Sequence, residues 1–280
     1  MLGPILRISF VASAVVAAGF ASGTLAQPNP SHPDFSSAGF GWVSLRGGVV
    51  PLPGSPAPVG QDPRRPLVAN NTGQQPTFPY ADLNNANLTP FALEGLKKAN
   101  ALADTGFAMY SRGSRCWATG VPVAINSVVQ PIFFIQTPKE VITIGQGDQT
   151  VRHIYMDVPH STNPKPSWYG ESVGHYEGEW LVVDTIAQDT RTFIDNFRTP
   201  HSDKLHVVER YHLINGGNML ETQVTIEDPA SFIKPVQLQM RARKAQAPDG
   251  IIESRCADGE SFNPFGQKAE PIPIAAKPDF

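Results

Sequence analysis

The chain has 280 residues, with 22 Lys and Arg against 25 Asp and Glu and a formal net charge of −3. The basic residues are scattered, with no stripe and no interleaved aromatics, which argues against nucleic-acid binding, and no basic amphipathic helix points to a membrane surface. A chain of this length can bury one substantial core, so a single folded domain is expected.

Met1 to about Ala26 has the layout of a cleaved export signal: one charge at Arg7, an apolar run from Ile8 to Phe20, and small residues through Thr24-Leu25-Ala26. The run is shorter than the roughly 20 residues that cross a bilayer, so the mature protein is expected to carry no membrane span. No Cys follows it to carry a lipid. Cleavage leaves 254 residues of net charge −4, because Arg7 is the one charge lost. A bacterial periplasmic or secreted address follows. Residues 27–88 read as a Pro/Gly-rich extended arm (PNPSHPDF, PLPGSPAPVG, QDPRRP), a composition that disfavours regular structure.

A helix is predicted over Pro90–Ala103, where Thr89 can cap, Pro90 suits the first turn, and Phe91, Leu93, Leu96 and Leu102 fall at helical spacing. From Pro131 onward the pattern changes to short runs of β-branched and aromatic residues. Strands are predicted at Ile132–Gln136, Glu140–Ile144, Val151–Asp157, Ser172–Tyr176, Trp180–Thr185, Leu205–Ile214, Met219–Ile226, Val236–Arg243 and Ile251–Cys256. Turn sequences such as Glu177-Gly178-Glu179 and Asn215-Gly216-Gly217-Asn218 suit tight hairpins. The expected fold is therefore mainly β, an antiparallel meander closing into a lipocalin-like barrel, which removes unpaired edges. A two-sheet sandwich is the competing arrangement. The barrel with its preceding helix is expected over residues 89–258, and 259–280 form a tail. Cys116 and Cys256, the two thiols of the chain, are expected to pair as a disulfide in an oxidising compartment, with two unpaired thiols as the alternative.

Six of the seven histidines lie between His153 and Asp228. Side chains two apart on a strand share a face. His153, Tyr155 and Asp157 therefore share one side of their strand. His206, Arg210 and His212 share a side with Val208, while Val207, Glu209, Tyr211 and Leu213 take the other. Alternation does not say which side is inside. Polar rows lining a barrel would supply general acid–base chemistry, with His153, Asp157, His175, His206 and Glu209 as proton carriers, Tyr155 and Tyr169 as donors to a developing oxyanion, and Arg210 as a carboxylate or phenolate partner. Trp168, Tyr169 and Trp180 offer flat apolar surface for a small aromatic or apolar ligand. No metal is assigned, since HExxH is absent and strand rise separates His206 from His212 by roughly 20 Å. Gly170-Glu171-Ser172-Val173-Gly174 has nucleophile-elbow spacing but precedes a strand instead of a helix. No GxGxxG or Walker loop calls for a nucleotide, so no cofactor is expected.

The blocks TPKEVITI, HIYMD, WYGESVGHYEGEWLVVDT, PHSDKLHVVERY and VTIEDPASFIKP resemble the signature blocks of a large, mostly uncharacterised group of secreted bacterial lipocalin-like β proteins. The resemblance covers about residues 115–256. Val158-Pro159-His160, Tyr176 and Glu179-Trp180 depart from the usual pattern of the group, which implies a different choice of ligand. The resemblance implies an envelope barrel without implying a reaction. The leading expectation is a cofactor-independent lyase or isomerase acting on a small aromatic substrate, with carbon–carbon cleavage of a lignin-derived phenol as one version. The alternatives are a non-catalytic periplasmic binding or carrier protein and a structural envelope component. Homo-oligomerisation is left open.

Overall fold

Eight of the predicted strands and the helix recur, within a residue or two at each end, in the computed structural model. It describes residues 32–45, 50–55, 83–104, 107–108, 118–122, 131–146, 150–195, 199–245 and 268–269. The elements are β1 (Trp42–Ser44), β2 (Val50–Pro51), α1 (Pro90–Asp104), β3 (Phe107–Ala108), β4 (Ile132–Gln136), β5 (Glu140–Gly145), β6 (Thr150–Met156), β7 (Glu171–Glu177), β8 (Trp180–Ile186), β9 (His206–Ile214), β10 (Met219–Glu227), β11 (Val236–Lys244) and β12 (Lys268–Ala269). The expected export signal, Cys116, Cys256, the strand at Ile251–Cys256 and most of the tail lie outside the described residues. No helix among the described residues is long and apolar enough to cross a membrane.

Strands β4 to β11 lie side by side in chain order, and β1 pairs with both β11 and β4. Those nine strands close a barrel. The closing strand comes from the Pro/Gly-rich stretch expected to form only an extended arm. Short β2, from the same stretch, pairs with β11 at Leu238 and Gln239.

One pairing departs from the meander. β6 and β7 run parallel, with Ile154 opposite Ser172, and a parallel pair needs a crossover of about a dozen residues. The connection over residues 157–170 supplies it, and its prolines at 159, 164 and 166 are incompatible with a tight hairpin. Asp157, with φ of 55°, turns the chain out of β6.

The barrel is filled by two apolar clusters. At one end Val207, Val224, Ile226, Val236 and Leu238 meet Ala92 and Leu96 of α1. At the other, Phe134, Ile154, Leu181 and Val183 meet Phe35 and Trp42. Phe35 is a stopper: fully buried, its N–H donates to Gln136 Oε1 (2.7 Å) and its carbonyl accepts from Trp42 Nε1 (2.7 Å). Burial of such a ring contributes about 2–3 kcal/mol. Thr89 caps α1 as expected, its hydroxyl accepting from Ala92 N–H (3.3 Å). Ala92 and Leu96 carry the buried stripe of the helix, whereas Phe91 faces solvent.

Candidate functional site

Burial alternates along β9 so that Val207, Glu209 and Tyr211 point inward, and His206, Arg210 and His212 outward. Glu209 therefore sits between the two apolar clusters, with none of its surface exposed. Its partner is Arg152, which occupies the inward phase of β6. Arg152 Nη1 donates to Glu209 Oε1 (3.0 Å) and Nη2 to Oε2. Nη2 also reaches Thr185 Oγ1 (2.7 Å), and Nε reaches Ser172 Oγ (3.0 Å). The Tyr211 hydroxyl donates to Glu209 Oε1. Burial opposes the charge on Arg152, but Glu209 outweighs it and raises its pKa. Tyr211 is pushed well above the ordinary phenol value by burial and then by Glu209. These groups satisfy one another in a sealed layer, as buried charges must.

The other predicted acid–base candidates stand on the outer wall. His153 and Tyr155 are exposed, and His153 Nδ1 meets Glu140 Oε2 at 2.9 Å. Asp157 is exposed at the start of the crossover. His175 meets Glu177 at 3.0 Å, and Arg210 donates to the same carboxylate at 2.7 Å. That pair holds Glu177 below the usual carboxylate range. Trp180 stacks on His212 at 4.5 Å, with the Arg210 guanidinium 5.3 Å above the indole. Trp168 carries the Arg191 guanidinium at 4.5 Å. Tyr169 packs against the helix-end cluster, and its hydroxyl meets Thr150 at 2.7 Å. Of the predicted residues, Glu209 is interior, Tyr169 packs against the helix-end cluster, and the others stand on the outer wall.

The structure instead assembles a ladder of acids and imidazoles across β7, β8, β9 and β10. His160, carried back over the wall by the crossover, sets Nδ1 3.0 Å from Glu171 Oε1 and Nε2 3.0 Å from Asp184 Oδ1. His206 sets Nε2 3.0 Å from the same Asp184 oxygen and Nδ1 3.1 Å from Glu227 Oε2. Ser161 steadies Glu171 through its N–H and its hydroxyl, both at 2.7 Å. The hydrogen bond to Asp184 works against burial, Glu227 adds to it, and the pKa of His206 rises to about 9. Asp184 is depressed: burial alone would raise it, but the hydrogen bonds from His206 and His160 prevail. Glu171 is lowered chiefly by the Ser161 hydroxyl.

A groove of about 720 Å³ lies at the rim nearest Phe35. His32 and Pro33 form one wall, and Glu179, His212 and the turn from Leu213 to Gly217 form the rest. Two of its lining rings are stacked on aromatics outside the lining, His212 on Trp180 and His32 on Tyr176, the latter at 4.0 Å. Gly178, Gly216 and Gly217, all at positive φ, present bare backbone to it.

Arg152, Glu171, Asp184 and Glu227 were not singled out by motif. Arg152 and Glu209 did leave a signal, since each charge falls in the apolar phase of its own strand. Nothing local marks the ladder, because His160 reaches Asp184 only through the crossover. Comparison of the chain with known family models, curated proteins and solved structures finds no match.

Proposed function

We propose that this chain is a non-catalytic binding or carrier protein of the bacterial envelope, taking a small aromatic or apolar ligand in the rim groove. The observation that carries this reading is the groove itself, whose volume of about 720 Å³ falls in the range of small-molecule sites. The imidazoles of His32 and His212 line it and offer planar surface to a flat ligand. The side chain of Glu179 is 84 % exposed and offers an acceptor to a ligand hydroxyl, which favours phenols. Of the predicted proton carriers, Glu209 is locked by Arg152 and His153, Asp157, His175 and His206 lie outside the groove lining; the titratable pair that does line it, His212 and Glu179, stands 3.6 Å apart, where it can hold a polar group of a bound ligand. The export signal expected at Met1–Ala26 supports the envelope address, as does the resemblance to secreted lipocalin-like proteins.

The test is a fluorescence titration with a panel of small phenols, using Trp180 as a reporter beside His212, followed by mass spectrometry of the mixtures. Saturable quenching that weakens at least tenfold in His212→Ala, with Glu179→Gln reducing preference for hydroxylated ligands, is expected. Product formation would replace the carrier reading with a catalytic one. Binding unchanged in both variants would remove the groove as the seat.

A further inference from the structure

We propose that residues 32–40 form a strap across the barrel mouth, clamped by Gln136, so that docking of the strap and ligand binding in the rim groove reinforce each other. The inference rests on the reading of that groove as the ligand seat and adds the element that completes it.

The groove is walled from two directions. Glu179, His212 and the turn from Leu213 to Gly217 belong to the hairpins β7–β8 and β9–β10, whereas His32 and Pro33 belong to the arm. One side chain holds the arm's wall in place. Gln136, the last residue of β4, donates from Nε2 to the Pro33 carbonyl (2.9 Å) and to the Tyr176 hydroxyl (2.8 Å), and its Oε1 accepts from the Phe35 N–H (2.7 Å). Strands β4 and β7 are separated in the sheet by β5 and β6, so the bond to Tyr176 crosses the mouth. The Tyr176 ring is also the one on which His32 stacks, at 4.0 Å with 10° between the planes. Gln136 thereby fixes both the backbone of the strap and the ring that supports His32.

The docked strap is strained. Ser37 and Ala38 take positive φ, 49° and 54°, a region unfavourable for residues with a Cβ and one that recurs at ligand clamps. The Ser37 hydroxyl is buried with no hydrogen-bond partner among the described residues, which adds to the cost. No strand ladder offsets it. Among the described residues, the hydrogen bonds from residues 32–40 to the barrel run through the side chains of Gln136 and Trp42. The buried Phe35 ring supplies the rest of the hold. A segment tied by one ring and a few side-chain bonds belongs to the low end of local stability, within the range that ligand binding shifts. A ligand touching His32 or Pro33 meets them in place only when the strap is docked. By linkage, it stabilises docking by the same factor by which docking raises its affinity.

The experiment follows amide hydrogen exchange of the purified chain by mass spectrometry, and titrates p-cresol by tryptophan fluorescence in parallel. The informative amides are those of Gly39 and Phe40, which bond within the strap to the Ser36 and Ser37 carbonyls and not to Gln136. In wild type, saturating p-cresol should slow their exchange about threefold or more. Gln136→Ala should speed it about tenfold or more without ligand, and weaken p-cresol binding about tenfold or more. Tyr176→Phe keeps the ring beneath His32 and removes only the hydroxyl, so it should move both readouts the same way by about threefold and guards the test against misfolding. Amides of β9 and β10 should exchange as in wild type throughout. Unaltered strap exchange in Gln136→Ala, unaltered p-cresol affinity alongside a faster strap, or equal acceleration in β9 and β10 would overturn the clamp. Binding of p-cresol to wild type without slowing of the strap would overturn the coupling alone. Failure of p-cresol to bind wild type would remove the groove as the ligand seat, and the coupling with it.

Discussion

Replacing Glu209 by Leu would leave the Arg152 guanidinium charged inside the barrel with no counter-ion. Arg152 has five N–H donors, and Glu209 accepts from both Nη1 and Nη2, so the change leaves the guanidinium with neutral hydroxyl partners such as Ser172 and Thr185. Breaking a buried pair from one side costs about 3–5 kcal/mol. The Tyr211 hydroxyl loses its acceptor as well, adding about 1 kcal/mol. The expected loss is therefore about 4–6 kcal/mol, which at about 2–4 °C per kcal/mol lowers Tm on the order of 10–20 °C. Adding Arg152→Met removes the stranded cation and restores apolar contact between the two clusters. The double variant should then lie within about 1–2 kcal/mol of wild type, since buried pairs exchanged for apolar groups are often near neutral. Urea unfolding of the four members of this cycle measures the coupling directly. A single-variant loss under about 1 kcal/mol, or a double variant equal to the sum of the singles, would refute the sealed polar layer.

Two further predictions concern the outer wall and the arm. The pKa of His206 is raised to about 9, so its stabilisation is fully present below about pH 6.5, the ordinary imidazole value, and fades as pH climbs through 9. The full linkage for such a shift is about 3 kcal/mol, which solvent screening at a side chain 34 % exposed reduces to about 1 kcal/mol. The urea midpoints of wild type and His206→Gln should therefore differ at pH 6 and converge by pH 9.5, and a constant gap would contradict the ladder. Phe35→Ala should cost about 3–5 kcal/mol, read as a fall in Tm together with faster proteolysis of the segment around His32–Ser44. A loss below about 1 kcal/mol would mean that the arm does not stopper the barrel.

The strands from β4 to β11 were legible because alternation and turn chemistry are local properties, repeated every two residues along a pleated backbone. Helix α1 was legible through Thr89, Pro90 and a stripe at 3.6-residue spacing, although Phe91 faces solvent where the stripe placed it inward. The arm was misread in part. Trp42–Ser44 is too short and too Gly-flanked to register as a strand, and it becomes one only because closing the barrel leaves β4 and β11 in need of a partner.

The sequence by itself determined the class of fold, the order of the strands and the two sets of residues sharing each face. Tertiary structure decided which set is buried, because closure makes one face of every strand the interior at once and leaves His206, Arg210 and His212 outside. It also decided that β6 and β7 run parallel, which carries His160 back to Asp184, 24 residues on, and so to His206, a further 22 residues on. A two-residue period is written in the backbone of each strand, whereas the meeting of three side chains from a crossover and two strands depends on how the whole sheet curls.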